Sequence, residues 1–237
     1  MRGRSLVWLL ALYLPTELLL AFLLHTQSPS YPFSYASVVL AALACLALYE
    51  PTPNWLLTAT ALLFTLGADL FLVVLDAHYT VAMLLFSVTQ LAYAARLSLG
   101  EGKRLRRVQL SVRAAAVLAA VSATVAVLGK DTDALAVIAL FYFANLLTNA
   151  AFAAAKWRRA PLFAIGLWLF VLCDIFVGFG MLGEYLPLGD GALLSFLADP
   201  PLNMAWVFYL PSQVLLSLSF LHRDRLRISK STPLPFH

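Results

Sequence analysis

The chain has 237 residues, of which 62% are hydrophobic and 12% are charged, with a mean hydropathy of +0.86. A soluble domain carries roughly 25% charged residues, so this chain has about half of the charge that a water-facing surface needs. The composition therefore excludes a soluble enzyme, a nucleic-acid-binding protein and a disordered regulator. The net charge of +4 by itself would suit a nucleic acid, but the basic residues instead follow the pattern of membrane sidedness. We predict an integral membrane protein.

Eight apolar stretches are long enough to cross a bilayer. A span needs roughly 20 mostly apolar residues, because about 30 Å of hydrocarbon must be crossed at about 1.5 Å per residue. None of the stretches alternates in the manner of a membrane β-strand. We therefore predict a single all-α transmembrane domain over residues 1–237 with eight transmembrane helices. The predicted spans are 6–24, 33–49, 55–75, 78–99, 110–128, 134–154, 161–182 and 204–221.

The basic residues indicate the orientation of this domain. Of the 16 Lys and Arg residues, all but Lys130 fall on one side: before the first span, after the fourth and sixth spans, and in the tail 222–237. The Lys and Arg residues from Arg96 to Arg113 are predicted to lie in the loop after the fourth span. Because cytoplasmic loops carry an excess of Lys and Arg, both termini are expected in the cytoplasm, with 222–237 as a basic cytoplasmic tail. The expected location is the plasma membrane, or the inner membrane of a bacterial cell.

The longest connection, residues 183–203, is predicted on the outer side. It contains Glu184, Asp190 and Asp199, no basic residue, and an apolar stretch at 192–197. Two interpretations remain open at this point: a surface loop with a short interfacial helix, or a lid over a site that is entered from the outer leaflet.

Three carboxyl groups, those of Glu17, Asp69 and Asp174, lie deep inside predicted spans. A carboxylate at a helix centre costs roughly 2.5–3.5 kcal/mol on insertion scales, so such residues are candidates for a functional site. Asp69 and Asp174 lie at the same depth, about 20 Å from the cytoplasmic end of spans that run in the same direction. Their carboxyl groups can therefore face each other slightly outside the midplane, and we predict them as the catalytic pair.

Further polar residues share helix faces with the predicted pair, because their spacings of three and four residues bring them to one side of a helix. Alternatively, such side chains only join helices to one another. With Glu17, we predict them as substrate-binding residues. They are Gln90 and Tyr93 in the fourth span, Tyr142, Asn145 and Asn149 in the sixth, and Tyr209 and Gln213 in the eighth. The intramembrane residues show no metal-ligand spacing and no glycine-rich phosphate loop, so we expect neither a metal nor another cofactor.

A weak internal repeat connects the two aspartates. Residues 63–71 (LFTLGADLF) are similar to residues 169–176 (LFVLCDIF), and in each case the next span carries a Gln and a Tyr. The repeat predicts two four-helix halves. Since four spans return the chain to its starting side, the halves are expected to be parallel.

These motifs resemble the YhhN family of lysoplasmalogenase-like membrane proteins, over residues 56–221. The family has a Ser-Leu-Leu-Gly-Asp-type helix, matched loosely by TLGAD at 65–69, and a His-x-x-Tyr helix, matched by QLAY at 90–93. Its C-terminal part has a Ser-Asp-type helix, matched by CD at 173–174, and a helix with Tyr-x-x-x-Gln or Tyr-x-x-x-His, matched by YLPSQ at 209–213. The chain departs from the family at two positions: Ala68 separates the Gly from the Asp, and Gln90 replaces the His.

The resemblance implies an enzyme that hydrolyses the vinyl ether bond of lysoplasmalogens and releases a fatty aldehyde. Two carboxyl groups suit this chemistry, because one can protonate the alkene while the other stabilises the cation that forms. The implied partner is a membrane lipid or lysophospholipid. Two other functions remain open: a small-molecule or proton-coupled transporter, and a receptor or scaffold in which the aspartates only join helices.

Overall fold

The computed structural model describes residues 3–182, 191–200 and 202–221. The predicted basic tail, as well as Glu184 and Asp190 of the predicted outer loop, lies outside these residues. The helices of the described ranges are α1 (Gly3–Thr26), α2 (Tyr31–Ala47), α3 (Pro53–Asp69), α4 (Tyr79–Leu97), α5 (Lys103–Leu128), α6 (Ala134–Ala155), α7 (Pro161–Leu182), α8 (Ala192–Ala198) and α9 (Met204–Leu218).

Six helical segments are long and apolar enough to cross a membrane: α1, α3 together with the π-helical turn that continues it to Val74, and α4 to α7. The helices α2 and α9 are also apolar but have only 17 and 15 residues. An all-α, multi-pass membrane protein is therefore confirmed over the described residues, whereas the count of eight spans stays a prediction. The apolar stretch at 192–197 forms the short helix α8, and the location of this connection on the outer side stays a prediction.

Local sequence signals explain where several helices begin. Thr52 precedes α3 and its hydroxyl accepts a hydrogen bond of 3.1 Å from the backbone N–H of Trp55. Asp133 precedes α6 and its carboxylate accepts one of 2.7 Å from the N–H of Ala136. Both side chains satisfy an N–H group that has no partner in the first turn of a helix. Pro53 opens α3, where its missing N–H is harmless.

The prediction that the residues from Arg96 to Arg113 lie in a loop is wrong. Arg96 belongs to the last turn of α4 and is 1% exposed, and α5 already begins at Lys103. The loop contains only residues 98–102. Hydropathy alone ends a span where charged residues begin, but Lys and Arg are good helix formers, so the helix continues through them.

Polar contacts tie together the end of the bundle that carries the basic loops. Arg96 donates to Asn54 Oδ1 at 2.7 Å and to Ser219 Oγ at 2.6 Å. These contacts join the start of α3, the end of α4 and the residue after α9. In the neighbouring loops, Lys156 Nζ lies 2.7 Å from Glu101 Oε1. The connections at 98–102 and 156–160 therefore lie at the same end, as the alternating helix directions predict.

In the proposed repeat, the span after each aspartate helix packs directly against that helix. The helix α4 packs against α3, and α9 packs against α7. The contact between α7 and α9 is close at Gly166, where a Cβ atom would lie only 2.9 Å from the Leu216 side chain. Ser212 of α9 also donates a hydrogen bond of 2.8 Å to the Gly166 carbonyl. The parallel relation of the two halves stays a prediction.

Candidate active site

A cavity of about 780 Å³ lies in the half of the bundle that is remote from the basic loops. Its walls come from the C-terminal ends of α3 and α7, the N-terminal parts of α4, α6 and α9, and the C-terminal half of α5. Most lining side chains are aliphatic or aromatic, and the carboxyl groups of Asp69 and Asp174 are both part of the wall. The volume and the apolar walls are those of a small-molecule site that holds few polar groups. We refer to this space as the aspartate cavity.

Asp69 occupies the C-terminal end of α3, where its side chain is 3% exposed. Tyr209 of α9 donates a hydrogen bond of 2.6 Å to Asp69 Oδ2. Directly after Asp69 the helix continues as a π-helical turn, Leu70–Val74, and Leu72 and Val73 of this turn line the cavity. Such turns are frequent at functional sites, because they redirect side chains locally.

Asp174 lies on α7 and is half-buried at the cavity wall. Tyr142 of α6 donates a hydrogen bond to Asp174 Oδ2. The ring of Phe170 stands between the two tyrosines, with its centre 5.2 Å from that of Tyr209 and 6.4 Å from that of Tyr142. The structure thus brings two Asp–Tyr pairs to one aromatic wall of the aspartate cavity.

Neither aspartate has a basic partner in the part of the chain that the structure describes. The ion pairs there join Glu101 to Lys156 and Arg159, at the opposite end of the bundle. Two carboxyl groups that line one apolar cavity without a basic counter-ion are costly to charge at the same time. The arrangement can therefore offer a proton donor and a carboxylate at the same time.

An aromatic layer closes the inner end of the cavity. Phe86 of α4 lies with its ring centre 5.3 Å from that of Tyr142 and 5.8 Å from that of Phe170. Six predicted site residues lie outside the cavity wall. They are Glu17, Gln90, Tyr93, Asn145, Asn149 and Gln213. Apart from Glu17, these residues lie on the same helix faces as the lining residues, but one or more helical turns beyond the aromatic layer.

Three of these six belong to a polar network that the sequence did not reveal. Arg113 of α5 donates at 2.7 Å to Asn145 Oδ1 and at 2.7 Å to Asn149 Oδ1. Asn149 Nδ2 in turn donates at 3.0 Å to Gln90 Oε1. The network joins α4, α5 and α6, as polar side chains commonly do inside membranes.

The other residues beyond the aromatic layer are buried in the core. Tyr93 packs edge-on against Phe163, with ring centres 5.4 Å apart, and Gln213 is fully buried in α9. Glu17 lies on α1 and accepts a hydrogen bond from Ser37 of α2. None of these three residues is part of the wall of the cavity.

Sequence reasoning also missed lining residues. Trp206 packs against Tyr209 with ring centres 5.3 Å apart, and its position three residues earlier on the same helix could have indicated it. Tyr79 and the small residues of α5, such as Ala120 and Ala123, also line the cavity. No periodic signal distinguishes these alanines from the many lipid-facing ones.

Comparison with known protein families gives a match. The model of the YhhN family matches residues 29–220, which is most of the chain, from just before α2 to the end of the described helices. No curated protein and no solved structure matches the chain. The resemblance predicted from the motifs is confirmed.

Proposed function

Since the chain belongs to the YhhN family, we propose that it is a lysoplasmalogenase-like hydrolase that cleaves the vinyl ether bond of a lysophospholipid. One observation carries the proposal: two carboxyl groups, each bonded by a tyrosine hydroxyl, line one apolar cavity. A cavity of about 780 Å³ with aliphatic walls suits the hydrocarbon chain of such a lipid.

The aspartate pair supplies what this hydrolysis needs. In the first step the protonated carboxyl of Asp69 or Asp174 transfers its proton to the alkene carbon remote from the ether oxygen, which leaves an oxocarbenium ion. The other carboxylate stabilises this cation and accepts a proton from the water that attacks it. The resulting hemiacetal breaks into a fatty aldehyde and a glycerophospho-alcohol. One water is consumed, and one carboxyl group is again protonated at the end.

The two tyrosines position the carboxyl groups for these steps. Tyr142 and Tyr209 each donate to one oxygen of an aspartate and leave the second oxygen for the substrate or water. A hydroxyl that is itself held by packing fixes the carboxyl with little reorganisation during the reaction. The ring of Phe170 contacts both tyrosines and so holds the two Asp–Tyr pairs in fixed positions relative to each other.

The test is aldehyde release by the purified protein in detergent. We expect turnover of a vinyl ether lysophospholipid and none of its saturated alkyl ether analogue, because only an alkene can be protonated to an oxocarbenium ion. A carrier would require sealed vesicles and would show flux without any product. Inactivity on every vinyl ether lysolipid tested would contradict the proposal, as would equal turnover of the alkyl ether.

We also propose the full eight-span topology, with α2 and α9 as short spans and both termini in the cytoplasm. Seventeen residues of α2 reach about 25 Å, which is sufficient where the bilayer thins locally. Because the basic loops would then be cytoplasmic, the aspartate cavity would belong to the outer leaflet. The substrate would accordingly come from that leaflet of the plasma membrane, or of the inner membrane in a bacterial cell.

Cysteine accessibility in intact cells tests this topology. We expect Asp131→Cys, in the exposed turn between α5 and α6, to react with an impermeant maleimide added outside. Gly102→Cys, in the loop before α5, is expected to react only after the cells are permeabilised. Both native cysteines are buried, so the unmodified protein is the control. Labelling of both variants from the same side would overturn the eight-span arrangement.

A further inference from the structure

Glu17 is a buried carboxyl group that the proposed hydrolysis does not use. It lies within α1, is 5% exposed and is not part of the wall of the aspartate cavity. Within the described residues it forms no ion pair with Lys, Arg or His. The family match begins at residue 29, after α1, so this group also lies outside the part of the chain that the family defines.

Oxygen atoms from three helices meet around Glu17. Ser37 of α2 donates a hydrogen bond to Glu17 Oε2. Tyr13 lies one turn before Glu17 on α1, and its hydroxyl is 3.1 Å from Ser217 Oγ of α9, which itself donates to the Val214 carbonyl. Because α1, α2 and α9 pack against one another pairwise, these oxygens occupy the junction of the three helices.

One oxygen in this group lacks a partner. Glu17 Oε1 is buried and accepts no hydrogen bond from any described residue. Buried polar atoms of native proteins nearly always have a partner, and a carboxylate inside a membrane needs one more than most. A buried, unpartnered carboxylate oxygen at a junction that also holds three hydroxyl groups therefore points to a bound ligand there.

We propose that this junction binds a monovalent metal cation. A set of carboxylate and hydroxyl oxygens without nitrogen or sulfur is what hard cations prefer. The single carboxylate balances one positive charge, whereas a divalent ion would leave a second charge uncompensated in apolar surroundings. The ligands are both carboxylate oxygens of Glu17 and the hydroxyl oxygens of Tyr13, Ser37 and Ser217. The cation links α1 to the rest of the bundle.

Thermal melting of the purified full chain in detergent tests the site, with NaCl, KCl and choline chloride compared at one ionic strength and one pH. A ligand that binds only the folded state raises its stability by mass action. We expect the Tm to rise by several degrees, and saturably, in Na⁺ or K⁺ relative to choline. Glu17→Gln keeps the shape but removes the charge, so its Tm should be the same in all three salts.

Two serine variants provide a matched comparison. Ser37→Ala removes one ligand and is expected to move the midpoint of the cation effect to a roughly tenfold higher concentration. Ser34→Ala is the control, because Ser34 is also buried in α2 but donates to the backbone carbonyl of Tyr31. If Glu17→Gln does not fold, the Ser37→Ala midpoint decides the question.

Several results would overturn the cation site. One is an equal Tm of the wild type in all three salts, and another is an undiminished Na⁺ or K⁺ effect in Glu17→Gln. An unchanged midpoint in Ser37→Ala would do the same. A Tm that responds to pH but not to either metal cation would assign a proton to Glu17 instead. None of these measurements requires enzymatic activity, so they test the cation site independently of the proposed hydrolysis.

Discussion

Replacing Asp69 or Asp174 by Asn is expected to lower the rate of aldehyde release by at least about 100-fold, since a positioned acid or base typically contributes a factor of 10²–10⁴. An amide keeps the shape of the carboxyl group and can still accept the hydrogen bond from Tyr209 or Tyr142. However, it cannot donate an acidic proton or carry the negative charge that stabilises an oxocarbenium ion. The variants should remain folded, because an amide is easier than a carboxylate to place in hydrocarbon.

The measurement is aldehyde release by the purified wild type and both variants, with the Tm of each recorded in parallel. Asp131→Asn is the matched control, because Asp131 is exposed in the turn after α5 and remote from the cavity wall. We expect this control to retain the wild-type rate. Full activity of either Asp69→Asn or Asp174→Asn would show that the carboxyl groups only join helices.

Filling the aspartate cavity is expected to lower turnover roughly tenfold or more, since small displacements of a substrate from its reacting groups have large effects on rate. Gly178 of α7 lines the cavity, and a Cβ atom at this position would meet no other atom within 4 Å. Gly178→Trp therefore introduces a large side chain into the space that the lipid chain needs, without a backbone clash. Aldehyde release and binding of a non-hydrolysable alkyl ether lysolipid are both expected to decrease.

Two controls separate steric blocking from general damage. Gly178→Ala adds only a methyl group and is expected to stay close to wild type in both measurements. Leu118→Trp adds the same indole on α5 at a position that is 67% exposed and outside the cavity wall. If Gly178→Trp binds and turns over substrate like the wild type, the lipid does not occupy this cavity.

The positions of Asp69 and Asp174 along their helices could be predicted from the sequence. Their depth within two helices of the same direction follows from counting residues, because the rise per residue of a helix is constant. Hydropathy predicted the apolar helices, six of which are long enough to span a membrane, for a similar reason, since burial in lipid depends on the composition of each segment by itself. The ends of α4 and α5 were the exception, because Arg96 and the first turns of α5 are helical although they are charged.

The face of each helix was also predictable, whereas the depth at which the cavity ends was not. Gln90 and Asn149 continue faces that line the cavity, as their spacing predicts. The aromatic layer with Phe86 and Phe170 nevertheless closes the space before it reaches them. Where such a layer forms depends on how rings from different helices meet, and no single segment contains that information.

The class of protein, the approximate positions of the helices and the similar depth of Asp69 and Asp174 follow from the amino-acid sequence, because each is a local property of a segment in a bilayer. The partners of the polar side chains depend instead on how the helices pack. Tyr209 reaches Asp69 across 140 residues of sequence, and Arg113 holds amides 32 and 36 residues away. Such pairings depend on the rotation and contact of whole helices, which result from many weak packing contacts between segments that are distant in the chain.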